Sequence, residues 1–136
     1  MKHTAAAPPA HHPNTIDYRS ELNAEQLEVV MSDASPLLVI AGAGSGKTRT
    51  LTYRVARLIE SGTPPGAILL LTFTNKAAKE MLGRVEGLIN LNIATLWGGT
   101  FHHIANRILR SRAGLIGYDS SFTILDRDDS RDLLNS

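Results

Sequence analysis

Residues Ala41 to Thr48, Ala-Gly-Ala-Gly-Ser-Gly-Lys-Thr, are the stretch whose residue types are most clearly arranged for chemistry. Gly42, Gly44 and Gly46 let a backbone curl with its N–H groups pointing inward. A helix starting behind such a curl adds the positive end of its dipole. Ala41, Gly42, Ala43, Gly44, Ser45 and Gly46 together therefore read as a cradle for a phosphate-sized anion. Lys47 would place a point charge on the β- and γ-phosphates of a nucleotide, and the Thr48 hydroxyl would be a ligand for Mg²⁺. The strict pattern G-x-x-x-x-G-K-[ST] begins on glycine where this chain has Ala41. The plain alternative is a glycine-rich turn that binds nothing.

Context decides between them, because a phosphate loop needs a strand before it and a helix after it. Leu37–Ile40 is an apolar run that reads as a buried strand. Leu51, Val55, Leu58 and Ile59 recur at helical spacing, and Gly62 with Pro64-Pro65 stops that helix. Upstream, Asn23 is a good N-cap and Gln26 stands where a capping box closes, with Leu22 and Leu27 at the positions of a hydrophobic staple. Capping alone would explain Gln26.

Downstream, Ala67–Phe73 reads as a strand covered on both faces. Ala78, Met81, Leu82 and Val85 mark an amphipathic helix from about Thr74, with Glu80 and Arg84 paired four apart. Ile93–Trp97 predicts a short strand broken by Gly98-Gly99. Phe101, Ile104, Ala105, Ile108 and Leu109 form another helical stripe, with Gly114 beyond its end. Phe122–Leu125 predicts a last strand, and Asp126 can cap a final helix. Alternating strands and helices imply parallel βαβ units, with ligands at the carboxyl ends of the strands. Thr72–Lys76 and Gly98–His102 should then open on the same edge as the loop. Thr72, Phe73, Thr74, Asn75 and Lys76 offer hydroxyls, an amide, an ammonium and a ring, the mix that binds single-stranded nucleic acid. Composition alone favours the plainer reading, with Phe73 in the core, Thr74 as a cap and Lys76 in water. Thr100 to His103 offers a similar surface, and Arg107, Arg110 and Arg112 are either a local basic patch or a wet helix face.

A chain of 136 residues suits one domain and is small for a complete nucleotide-driven enzyme. A formal charge of +1 argues against nucleic-acid binding by bulk charge, so any such site must be local. The absence of cysteine removes disulfides and thiolate metal sites, which fits a cytoplasmic location. No run is long enough to span a membrane, and the Ala/Pro/His-rich start is not a signal peptide. Residues 1–20 read as a mobile tail, in which His3, His11 and His12 are more simply solvated than metal-bound.

These stretches jointly resemble the N-terminal part of a UvrD/Rep/PcrA-type superfamily 1 DNA helicase. LNAEQLEVV resembles the Q-motif, AGAGSGKTRT the Walker A motif with alanine in its usual first place, LLLTFTNKAAKEM motif Ia and GTFHHIANRILR motif Ib. The resemblance runs unbroken over roughly residues 21–132. It implies an incomplete α/β fold, a P-loop NTPase (RecA-like) parallel sheet flanked by helices. Residues 21–125 would be the N-terminal part of the first motor subdomain, and 126–136 the truncated start of an inserted helical subdomain. It implies that Gln26 hydrogen-bonds adenine, compatibly with capping, and that Arg49 packs against the base. Thr72, Phe73, Asn75, Thr100 and His102 would line a track for single-stranded DNA. The implied cofactors are ATP and Mg²⁺, and the implied partners are single-stranded DNA and the remainder of the helicase chain, with no membrane. Asp126, Asp128 and Asp129 are not preceded by an apolar strand in Walker B fashion, so the expectation is nucleotide binding without hydrolysis by these residues alone. Another P-loop ATPase or kinase fragment, or a non-catalytic nucleic-acid-binding module, are the competing readings.

Overall fold

The structure is a computed structural model that describes residues 16–90, 92–125 and 127–134. These fall into two compact units, one ending at Thr100 and the other beginning at Phe101. The N-terminal histidines and Asp126 lie outside the described residues.

The first unit opens with two short helices, α1 (Tyr18–Glu21) and α2 (Ala24–Met31). The Asp17 side chain caps α1 by accepting from the N–H groups of Arg19 and Ser20. Asn23 caps α2, and the capping box with Gln26 forms as expected. Leu22 is buried with Tyr18, Val30 and Tyr53, and Leu27 packs against this cluster, so the staple also forms. The Tyr18 and Tyr53 rings meet edge to face, 6.1 Å apart.

Helix α3 (Lys47–Glu60) starts on Gly46 and ends at Ser61, where Gly62 takes a φ of 97°. Its buried stripe is rotated from the expected one. Leu51 and Leu58 are 40% and 37% exposed, while Thr52, Tyr53, Val55, Ala56 and Ile59 are buried. The helix packs on α2 along one side and on a later helix along another, so its buried sector widens and turns. Thr52 tolerates this because its hydroxyl donates to the Arg49 carbonyl at 2.8 Å.

A parallel pair follows: β1 (Leu69–Thr72), helix α4 (Asn75–Ile89) and β2 (Trp97–Thr100), in register from Leu69 opposite Trp97 to Thr72 opposite Thr100. Val55, Ala56 and Ile59 of α3 meet Met81, Val85 and Ile89 of α4 and Leu70 of β1 in the main core. Each fully buried aliphatic side chain there stabilises the fold by about 1.5–3 kcal/mol. The fold is thus α/β, a two-stranded parallel sheet with helices packed on it.

Several expectations need correction. The second strand is not Ile93–Trp97 ended by Gly98-Gly99 but Trp97–Thr100, which contains both glycines. A Cβ on Gly98 would stand 2.5 Å from Leu82 Cδ2, so the glycine is where α4 presses onto the strand. Strand β1 is not covered on both faces, because Leu69 is 53% exposed. Leu37–Ile40 is not a strand, and Leu38 and Ile40 are 84% and 90% exposed. A strand needs a partner edge, and β1 and β2 pair only with each other among the described residues. Glu80 and Arg84 do not close to ion-pair distance among the described residues.

The second unit contains α5 (Phe101–Arg112), a 3₁₀ turn at Ala113–Ile116 and α6 (Arg127–Leu134). Of the expected α5 stripe only Ile104 is buried. Phe122–Leu125 is not a strand. Arg110 instead holds this segment to α5, donating to the Ser120 carbonyl at 2.8 Å with its guanidinium 4.9 Å over the Phe122 ring. Among the described residues no helix is long and apolar enough to cross a membrane.

Candidate functional site

The capping box does more than start α2. Gln26 Oε1 accepts from the Asn23 N–H at 3.3 Å, which fixes the amide plane. Its other end, Nε2, then donates to the Ser45 carbonyl at 3.1 Å, nineteen residues along the chain. One side chain therefore ties the first turn of α2 to the glycine loop. The approach is close: a Cβ on Gly46 would stand 2.6 Å from Gln26 Nε2. Gly46 also has a φ of 83° and Gly44 one of 76°, left-handed conformations that favour glycine.

Inside the loop, Ser45 Oγ donates to the Gly42 carbonyl at 2.8 Å, and the Lys47 ammonium folds onto the same carbonyl. Gly42, Ala43, Gly44, Ser45, Lys47 and Thr48 are exposed, and Ala41 and Gly46 half-buried. The backbone N–H of Thr50 bonds to the Gly46 carbonyl at 2.9 Å. Among the described residues the N–H groups of Lys47, Thr48 and Arg49 meet no carbonyl, as expected of a helix's first turn. The Thr48 hydroxyl likewise has no protein partner there, so it can meet a hard cation such as Mg²⁺. Beside the loop an open cavity of about 730 Å³ is bounded by Gln26, Val29, Leu38, Ile40, Lys47 and Arg54, within the size range of ligand pockets.

Three residues the sequence analysis did not single out hold this region together. Arg54 donates to the Val29 carbonyl and, at 2.9 Å, to that of Ser32, closing the carboxyl end of α2 onto α3. Glu21 and Tyr53 take up Arg49. Arg49 Nη2 donates to the Glu21 carbonyl at 2.8 Å and to Glu21 Oε2 at 2.7 Å, and its guanidinium lies 5.0 Å over the Tyr53 ring. The Tyr53 hydroxyl also donates to Glu21 Oε2, at 3.0 Å. Burial first, then that bond, pushes the Tyr53 phenol above its ordinary range. Burial and the hydrogen bond to Glu60 raise the Tyr18 phenol in the same way. No local pattern marks Glu21, since it meets Arg49 across 28 positions.

The second candidate surface lies at the carboxyl ends of β1 and β2. Thr72 and Thr100 are register partners, so the two strands do end on one edge. Thr72 is half-buried and Thr100 buried. Phe73 is 90% exposed, against the core placement that composition favoured. Thr74 caps α4 by accepting from the Ala77 N–H at 3.1 Å, and Asn75 is exposed in its first turn. His102 is exposed in the first turn of α5, in the second unit. Among the described residues no group of three His, Cys, Asp or Glu side chains is arranged to hold a metal ion.

Comparison with known proteins gives a consistent answer. Residues 22–136 match the model of the UvrD/REP helicase N-terminal domain. The chain is 49% identical over 134 residues, 96% of its length, to the ATP-dependent DNA helicase UvrD1 of Mycobacterium bovis. It is 49% identical over 114 residues (83% of the chain) to the ATP-dependent DNA helicase PcrA of Staphylococcus epidermidis. To PcrA of Staphylococcus aureus it is 46% identical over 116 residues, 85% of the chain. The chain spans only 17%, 16% and 16% of the length of these relatives.

Proposed function

The chain belongs to the UvrD/REP helicase N-terminal domain family, and on that premise we propose that it is the ATP-binding, single-stranded-DNA-contacting N-terminal part of an ATP-dependent DNA helicase. Residues 21–125 belong to a RecA-like motor subdomain, and residues from 126 begin an inserted helical one. The remainder of the helicase chain completes the motor, in which ATP hydrolysis drives movement along DNA.

The observation that carries the reading is the convergence on one loop of Gln26, Lys47 and the unpartnered first turn of α3. The loop and turn offer N–H donors to phosphate oxygens. Lys47 exchanges the Gly42 carbonyl for the β- and γ-phosphates. Thr48 contributes one ligand to Mg²⁺, which when bound neutralises charge on the phosphates. Gln26 presents an amide, donor and acceptor together, to the adenine edge. Phe73 offers a stacking face and Asn75 a polar contact to single-stranded DNA, with Thr72, Thr100 and His102 in the adjoining stretches.

Turnover asks for more than binding: a second carboxylate on the metal, an activated water and a cation on the transition state. Groups that act as a unit fail together when several are missing. The 136 residues alone therefore bind ATP without hydrolysing it. Titration calorimetry with ATP–Mg²⁺ tests this, and Lys47→Ala should lose most of the binding. Equal affinity in parent and Lys47→Ala would remove the site assignment. DNA-stimulated turnover by the parent chain that vanishes in Lys47→Ala would refute binding without hydrolysis.

A further inference from the structure

We propose that Glu21, with Tyr53, positions Arg49 and thereby sets the affinity for ATP: the nucleotide base must draw the Arg49 guanidinium away from a seat that these two residues provide. The proposal rests on the reading of the loop as a nucleotide site, with the base contact that the resemblance implies for Arg49, and concerns which residues tune it.

Arg49 is the third residue of α3, directly after Lys47 and Thr48. Its Cβ lies 4.0 Å from where a Cβ on Gly46 would stand, and that same point is 2.6 Å from Gln26 Nε2. Arg49 and Gln26 thus flank one glycine of the loop. One edge of the guanidinium, at Nη2, is engaged away from the loop. It makes two hydrogen bonds to Glu21, is 3.4 Å from the Tyr53 hydroxyl and stacks on the Tyr53 ring. A guanidinium stacks well on aromatic faces, and a purine is another such face. What the base offers is therefore the kind of contact Arg49 already has, without the carboxylate.

The seat is weak enough to be left. Both side chains of the ion pair are about half exposed, at 45% and 49%. Exposed pairs of this kind change an equilibrium by about two- to fivefold. The Glu21 carboxylate opposes the move, and removing its charge should favour ATP by that factor. The Glu21 carbonyl bond to Arg49 survives the substitution, so the guanidinium keeps one hydrogen-bonding partner when no nucleotide is bound.

The test is a titration of the 136-residue chain and its Glu21→Gln variant with two probes, ATP–Mg²⁺ and inorganic tripolyphosphate–Mg²⁺. The expected result is about two- to fivefold tighter ATP binding in Glu21→Gln with tripolyphosphate binding unchanged. The gain should disappear when Glu21→Gln is made in an Arg49→Ala background, as a coupling between the two residues requires. An equal gain for tripolyphosphate, or a gain that persists without Arg49, would mean that Glu21 acts only as a distant negative charge, and would overturn the proposal. So would unchanged ATP affinity in Glu21→Gln. If Lys47→Ala still abolishes binding in that case, the nucleotide site stands and only the role of Glu21 falls. A parent chain that binds no ATP would overturn both.

Discussion

Gln26 carries two separable roles, and substituting it by Glu and by Ala should pull them apart. Its Oε1 accepts from the Asn23 N–H and its Nε2 donates to the Ser45 carbonyl. Gln26→Ala removes both bonds but leaves the Asn23 side chain capping the Gln26 backbone N–H at 2.8 Å. Each lost bond is worth about 0.5–1.5 kcal/mol, and both are exposed, so the expected cost lies near the low end, about 1–2 kcal/mol in total. That corresponds to a fall of several degrees in Tm. Gln26→Glu keeps an acceptor for the Asn23 N–H and places a negative charge in the first turn of α2, where the helix dipole favours it. It loses the donor to Ser45 and, in the ATP-bound chain, the donor to the adenine edge. Urea unfolding should therefore show Gln26→Glu retaining more stability than Gln26→Ala. Competition titrations should show both variants losing preference for ATP over GTP. If Gln26→Glu keeps the full ATP preference, the amide does not read the base. If it is as unstable as Gln26→Ala, the capping bond is not the source of the stability.

Phe73→Ala should weaken binding of single-stranded DNA by about 1–3 kcal/mol in fluorescence anisotropy. It should leave the urea midpoint almost unchanged, because the ring is 90% exposed; a large stability loss instead would mean that Phe73 is a packing residue. Gly98→Ala should destabilise by about 1–3 kcal/mol, since the new methyl meets Leu82 at 2.5 Å. Equilibrium unfolding checks this, and an unchanged midpoint would show that α4 does not bear on the strand. For Tyr18, burial and Glu60 raise the folded-state pKa above the ordinary 10.0. The stabilisation by the neutral phenol is fully present below pH 10 and is lost as pH rises above it. The stability gap between the parent and Tyr18→Phe should accordingly shrink above pH 10, and a gap constant with pH would contradict the assignment.

The loop and the helices around it were legible from residue order alone, because what builds them is local. Asn23 and Gln26 close a capping box three residues apart, Thr74 caps α4 from the adjacent position, and Gly46 supplies the left-handed turn that admits α3. The residues of the glycine loop, Gly42 to Thr48, are contiguous, so spacing suffices to name the loop. Strands were less legible because a strand is defined by its partner. Leu37–Ile40 has the composition of a buried strand and no edge to pair with among the described residues. The glycines of β2 look like a break until Leu82 of α4 is seen pressing on Gly98. Only the tertiary structure turned Phe73 outward and buried Thr100, the reverse of what an apolar ring and a hydroxyl would suggest by composition. The same holds for the seat of Arg49. Tyr53 is one helical turn after it, but Glu21 lies 28 residues before it, and no periodicity in the chain records that the guanidinium reaches that carboxylate. Residue order therefore determined the glycine loop and the caps of the helices beside it, through short-range hydrogen bonds and backbone angles. Tertiary packing decided that Gln26 reaches Ser45 and that Arg49 reaches Glu21, because those contacts span 19 and 28 residues, distances along the chain that no local rule reaches.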